Sequence, residues 1–162
     1  SHMAWRHVYS QDVHTDDRSP AGIAAALARA GPRAPVLNLR FFVPDVALPV
    51  LYAAADGVLA NSGYEPFGLV GLEAMAAGGV AYVGATGEEY SVPLQNAVVL
   101  DDIPDPEEIV HFALMLREAP AHVAAIRRNA RDTATQYTWD AVIAQFLTKL
   151  WLLADRQGMR SR

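Results

Sequence analysis

The feature that most restricts the fold is an alternation in the middle of the chain, where short apolar runs are followed by segments of helical period. Residues 35–42, 57–61, 80–84 and 97–100 have strand length, and each contains Val. Helices are predicted between them at 44–55, opened by Pro44-Asp45, and at 66–77. Upstream, 4–10 reads as a short strand and 11–17 as a polar connection. A helix then opens at Ser19-Pro20, with Ser19 as N-cap and Pro20 in first position, and closes at Gly31. Strands separated by helices run parallel, and helices must cover both faces of their sheet. The predicted class is α/β, a Rossmann-like parallel sheet flanked by helices. From Asp105 onward only helices are expected. One starts at Asp105-Pro106-Glu107-Glu108 with acids in its first turn, and others span 121–137 and 139–156, the last capped by Thr138.

The chain has 162 residues, 52% of them apolar, enough for one core, so residues 4–162 are expected to form a single domain. Ser1-His2-Met3 reads as a tag scar and is set aside. A net charge of −5 without a basic run excludes a nucleic-acid surface, which needs clustered Lys and Arg. Without cysteine there is neither a disulfide nor a thiolate metal site. No apolar stretch nears the roughly 18 residues of a membrane span. A cytoplasmic location is expected, with peripheral membrane attachment left open for a full-length protein.

The chemically informative stretch runs from Asn61 to Gly78, Asn-Ser-Gly-Tyr-Glu-Pro-Phe-Gly-Leu-Val-Gly-Leu-Glu-Ala-Met-Ala-Ala-Gly. It leaves a strand, turns through Ser62-Gly63 and enters a helix at Pro66. The N–H groups of Phe67, Gly68 and Leu69 are then unpaired donors of a helix N-terminus, an anion site by geometry. Gly68 lets a diphosphate approach the backbone. The position lies beyond the carboxyl end of a strand, where open α/β sheets bind ligands. If both acids lie on one helix, Glu65 and Glu73 are roughly 12 Å apart along its axis, too far for a glycosidase pair and suited to two ends of an extended ligand. Structural readings stand beside these. Glu65 serves equally as a helix cap, Glu73 as an exposed helical acid, and Phe67, Val70, Leu72 and Met75 as core contacts. His7, His14, His111 and His122 are scattered, and no His or Asp cluster has metal-ligand spacing.

The run Glu65-Pro66-Phe67-Gly68-Leu69 followed by Glu73-Ala74-Met75-Ala76-Ala77-Gly78 resembles the Glu-x7-Glu signature of retaining glycosyltransferases of the two-domain GT-B fold, the group-1 and glycogen-synthase-like family. Phe42-Val43-Pro44-Asp45, Leu51 to Asp56 and Tyr137-Thr138-Trp139 resemble its flanks, so the likeness covers about residues 36–150. It implies the C-terminal, donor-binding domain of such an enzyme, with room for a first strand and helix to be lacking. Glu65 is then the catalytic-site acid facing the sugar hydroxyls. Phe67, Gly68 and Leu69 meet the sugar and diphosphate, Glu73 the ribose, and Phe42 and Val43 the base. A carboxylate suits the two acidic positions because its hydrogen bonds to hydroxyls are charge-assisted. The loop with Thr86 and Gly87 stands where the family carries adjacent glycines, so it is either a backbone contact or a plain strand-to-helix turn. The implied donor is a UDP-, ADP- or GDP-sugar, with no metal and no cofactor.

One departure bears on activity. The family places an Arg and a Lys earlier in this domain to neutralise the leaving diphosphate, whereas the only lysine here is Lys149, and neither Arg6 nor Arg18 fits the clamp by motif. The acceptor domain is also missing, so the chain by itself is expected to bind donor without transferring sugar. Two rivals remain, a nucleotide-sugar-binding module without chemistry and an interaction module. For the latter, Phe146, Leu147, Leu150, Trp151 and Leu153 form an apolar face for a missing domain or for self-association. A dinucleotide fold is disfavoured because Gly68, Gly71, Gly78 and Gly79 do not make a Gly-x-Gly-x-x-Gly turn.

Overall fold

The structure, a computed structural model, describes residues 10–30, 35–63, 65, 67–84 and 86–157. The expected strand residues 4–9, Arg6, the helix-closing Gly31 and the helix-opening Pro66 lie outside them. The chain divides into two compact units between Leu51 and Tyr52.

In the first unit, β1 (Ser10–Val13) pairs in parallel with β2 (Val36–Leu39), from Ser10 opposite Val36 to Val13 opposite Leu39, and α1 (Pro20–Ala30) makes the crossover. The strand therefore occupies the segment expected to be a polar connection. Its ladder is made by the backbone, and among its residues only Val13 is buried, so apolar pattern could not reveal it. Asp12 bonds to Asn38 at 3.1 Å and to Arg40 at 3.0 Å, and these partners hold its carboxyl below the usual range. Ser19 caps α1 as expected, its hydroxyl accepting from the Gly22 N–H at 3.1 Å. Helix α2 (Leu48–Ala54) begins later than Pro44. Pro49 explains the shift, because proline is tolerated in a first turn but breaks a helix interior. Residues 45–47 form a turn instead, with the Ala47 N–H bonded to the Pro44 carbonyl at 2.9 Å.

The second unit carries a parallel sheet in the order β3 (Val58–Leu59), β4 (Ala81–Val83), β5 (Val98–Val99). Around it lie α3 (Leu69–Ala76), α4 (Pro106–Arg117), α5 (Pro120–Ala134), a 3-10 turn at Thr135–Tyr137 and α6 (Trp139–Arg156). The α/β class with parallel strands is as expected, but the strands among the described residues form two sheets rather than one. Both faces of β4 are covered. Ala81 and Val83 pack with Ala74 and Met75 of α3 and Ala130 of α5, whereas Val80 and Tyr82 pack with Leu116 of α4 and Ile126 of α5. That two-sided burial is why this run is apolar throughout instead of alternating.

Glycine closes α3. Gly78 takes φ +77°, the Gly78 N–H bonds to the Met75 carbonyl at 2.9 Å and the Gly79 N–H to the Ala74 carbonyl at 2.8 Å, a Schellman cap. Arg127 ties this turn to Ala53 and Ala55 of the same unit by donating to the carbonyls of Gly78, Ala53 and Ala55 at 2.8–2.9 Å. Thr138 caps α6 as expected, and Asp105, at the expected helix start, caps α4. No single helix among the described residues is long and apolar enough to cross a membrane.

Candidate functional site

The carboxyl ends of β3 and β4 lead into the two loops that build the site. The first, after Asn61, contains Glu65 and ends at Gly68. The second, after Val83, contains Thr86, Gly87 and Tyr90, and continues into a turn at 88–90 instead of a helix. Helix α3 starts at Leu69, not Pro66, because Gly68 adopts a left-handed conformation (φ +79°, ψ +50°) that no helix interior accommodates. The first-turn donors are therefore those of Leu69, Val70 and Gly71, displaced from the expected Phe67, Gly68 and Leu69. The Gly71 N–H already turns back to the Gly68 carbonyl at 3.1 Å.

Glu65 stands outside α3, so helical rise does not set its distance from Glu73. Its Oε1 accepts the Leu69 N–H at 2.8 Å, so the carboxylate caps the helix it precedes. Glu73 sits exposed one turn into α3 and faces Tyr52, whose phenol is raised first by burial and then by the Glu73 charge. The two acids thus bracket the first turn of α3, one at its mouth and one on its flank.

The group that organises the site is one to which the sequence assigned no role. Tyr90 is buried, and its hydroxyl donates to the Gly68 carbonyl. Side chains at three glycines would collide with that hydroxyl. A Cβ would lie 3.0 Å from it at Gly68, 2.5 Å at Gly71 and 2.8 Å at Gly87. Burial, reinforced by the nearby Glu65 carboxylate, pushes the Tyr90 phenol up to about 12, so it stays a proton donor across the physiological range. Phe67 and Tyr137 pack on the Tyr90 ring with centroids 5.5 and 6.0 Å away. The Phe67 ring is accordingly a packing group. No spacing rule connects Tyr90 to glycines 22, 19 and 3 positions earlier, since only the fold brings the two loops together.

Two buried oxygens at the strand ends have no hydrogen-bond partner among the described residues, Asn61 Oδ1 and Thr86 Oγ1. Thr86 is 6% exposed, and its hydroxyl lies 3.0 Å from the place a Gly68 Cβ would occupy. A native interior rarely leaves such atoms unpaired. Of the other expected residues, Phe42 is 69% exposed and Val43 half-buried, both in the first unit. Among the described residues no three His, Asp or Glu side chains group to hold a metal ion. A separate cavity of about 440 Å³ lies beside β3, lined by Leu59, Tyr82, Ile109 and Leu114 among others, and none of the motif residues borders it.

The sequence profile of the glycosyl transferases group 1 family matches residues 35–133, which include both acids, Gly68 and the Thr86 loop. The chain belongs to this family. A glycosyltransferase of Methanocaldococcus jannaschii is 49% identical over 119 residues, 72% of this chain and 30% of that protein. The GDP-mannose-dependent alpha-(1-6)-phosphatidylinositol dimannoside mannosyltransferase of Mycobacterium tuberculosis is 30% identical over 132 residues, 82% of this chain and 34% of the relative. Among solved structures, the Anabaena HepE protein in complex with UDP-glucose superposes with a TM-score of 0.59 at 26% identity, over 86% of this chain and 40% of that one. The chain spans 23–34% of the length of the curated relatives it matches. Its α/β architecture is that of a GT-B glycosyltransferase domain.

Proposed function

We propose that this group 1 glycosyl transferase chain is the donor-binding part of a retaining hexosyltransferase, holding a nucleoside diphosphate sugar at the N-terminus of α3. The observation that carries the reading is the mouth of that helix. Gly68 in the left-handed conformation, backbone donors from Leu69 onward, Glu65 beside them and the unpartnered Thr86 hydroxyl all meet beyond the carboxyl ends of two parallel strands. In this reading the diphosphate lies on the first turn of α3, Glu65 receives hydroxyls of the sugar, and Glu73 those of the ribose. The Gly87 backbone and the Thr86 hydroxyl line the far side. UDP-glucose in the Anabaena relative and GDP-mannose in the name of the mycobacterial one support a nucleotide sugar and leave the base open among UDP, ADP and GDP. No metal takes part.

In the complete enzyme the sugar passes to an acceptor hydroxyl with retention at the anomeric carbon, and the nucleoside diphosphate leaves. The acceptor comes from a domain outside this chain, and the bare face of α6 is a surface for it. These 162 residues alone carry out no transfer. The deciding measurement is calorimetric titration of UDP, ADP, GDP and their sugars, with Glu73→Ala as control. Binding of one nucleotide family, weakened roughly tenfold or more by Glu73→Ala, is expected, since a charge-assisted bond is worth about 1.5–3 kcal/mol. Absence of all binding at millimolar ligand would reject the donor site. Sugar transfer by the isolated chain would reject the division of labour.

A further inference from the structure

We infer that Glu65 is a selectivity plug: its carboxylate occupies the anion position at the mouth of α3, so the site admits a sugar-bearing nucleoside diphosphate in preference to the bare one. The inference rests on the donor-site reading and adds to it the competition between the site's own acid and an incoming phosphate. The Leu69 N–H, the first donor of the helix, is taken by Glu65 Oε1 at 2.8 Å. A phosphate oxygen seeking that donor must displace a carboxylate. Among the described residues Glu65 has no ion-pair partner, so its charge there is compensated only by backbone dipoles.

The two ligands present different problems to that carboxylate. A bare nucleoside diphosphate ends in a phosphate that ionises twice, with a second pKa near 6, and brings its highest charge to the side of Glu65. It has nothing to donate to the displaced acid. A nucleoside diphosphate sugar has that terminal oxygen esterified, so it carries one ionisable group fewer. Its sugar supplies hydroxyl donors to which Glu65 can turn as it releases the Leu69 N–H. Exchange of one hydrogen bond for another thus accompanies sugar binding, whereas like-charge repulsion accompanies the bare nucleotide. The second observation pointing to a ligand is Thr86, a residue 94% buried whose hydroxyl is buried, unpartnered among the described residues, and set in the same corner beside Gly68. Its bond is free for an incoming oxygen.

The experiment compares the wild-type chain with Glu65→Gln, which keeps the shape and the acceptor oxygen for Leu69 and removes the charge. UDP, UDP-glucose, GDP and GDP-mannose are titrated into each by calorimetry. In the wild type the sugar nucleotide should bind more tightly than its parent diphosphate. In Glu65→Gln the parent diphosphate should gain about fourfold or more, the effect of one unit charge about 5 Å away in a water-like medium, and the preference should vanish. A variant-free measurement guards against misfolding of Glu65→Gln. Raising salt screens like-charge repulsion, so the wild-type preference for the sugar nucleotide should shrink between 50 and 500 mM NaCl. If the wild type binds these ligands yet Glu65→Gln holds the diphosphates no more tightly and the preference ignores salt, the plug is wrong and the donor site stands. If neither protein binds any of the four at millimolar concentration, the donor site itself falls, and the plug with it.

Discussion

Helices α3 and α6 are both built mainly from apolar residues, and they have opposite surroundings. In α3, Ala74 and Met75 are wholly buried, whereas none of the 18 residues of α6 is. Phe146 is 59% exposed and Leu150 44%. The sequences differ in one respect that accounts for this. Glycines stand within and just after α3, where Gly71 lets Val83 and the Tyr90 hydroxyl approach and Gly79 lets the Tyr52 carbonyl approach within 2.6 Å of a Cβ position. From 139 to 156 there is no glycine, and large side chains recur at 139, 142, 143, 146, 147, 150 and 153. Apolar period says that a helix face must be covered, but glycine marks where close cover already exists.

The contrast is easiest to break at the core. Met75→Ala should cost about 2–5 kcal/mol of unfolding free energy, because the side chain is enclosed by β4, α3 and α5 and leaves a cavity. Leu150→Ala, by the same urea denaturation, should stay within about 0.5 kcal/mol when protein is dilute. Equal losses at the two positions would mean that α6 is buried in solution against the same body that buries α3.

A smaller effect tests whether the glycines of α3 are there for Tyr90. Gly71→Ala should cost about 1–3 kcal/mol, since the new methyl meets the Tyr90 hydroxyl at 2.5 Å and Val83 at 2.7 Å. Tyr90→Phe alone should cost about 1 kcal/mol by leaving the Gly68 carbonyl without its donor. Combined, the two changes should cost less than their sum, because the second removes the atom with which the first collides. Strict additivity in thermal or urea melts would show that the glycine serves something other than the tyrosine.

The same contrast explains what could be read from sequence. The α/β class, the caps at Ser19 and Thr138, the helix start at Asp105 and the span of α6 were legible because period and cap chemistry are local. The motif also located the mouth of α3, since Glu65, Gly68 and Glu73 lie within nine residues. Strand β1 was illegible because its pairing is carried by backbone with one buried side chain. The start of α2 was misplaced because the local signal of Pro44-Asp45 competes with Pro49, and the start of α3 because Pro66 competes with Gly68. Tyr90 and the unpartnered Asn61 and Thr86 oxygens escaped because their importance arises from two loops meeting at the ends of neighbouring strands. No period in either loop records that meeting.

The smallest expected change in stability concerns α6, and it comes with the clearest change in assembly. Residues Trp139, Ile143, Phe146, Leu150 and Leu153 follow alternating steps of four and three, the spacing that seats one helix against another along a seam. If each of the seven exposed large apolar side chains at 139, 142, 143, 146, 147, 150 and 153 offers on the order of 100 Å², the face supplies roughly 700 Å², close to the roughly 800 Å² per partner of a standard interface. The isolated chain should therefore pair with a second copy through α6 at tens of micromolar. Phe146→Glu with Leu150→Glu should give a monomer in light scattering after gel filtration, with the melting temperature of dilute protein moved by no more than a few degrees. A wild-type chain that stays monomeric at those concentrations would leave α6 an amphipathic helix whose seam is matched to a different surface. The absence of buried residues in α6 would then be a property of the chain alone, and α3, tied by Gly71, Gly78 and Gly79, would remain the one helix of the pair with a buried face within this unit.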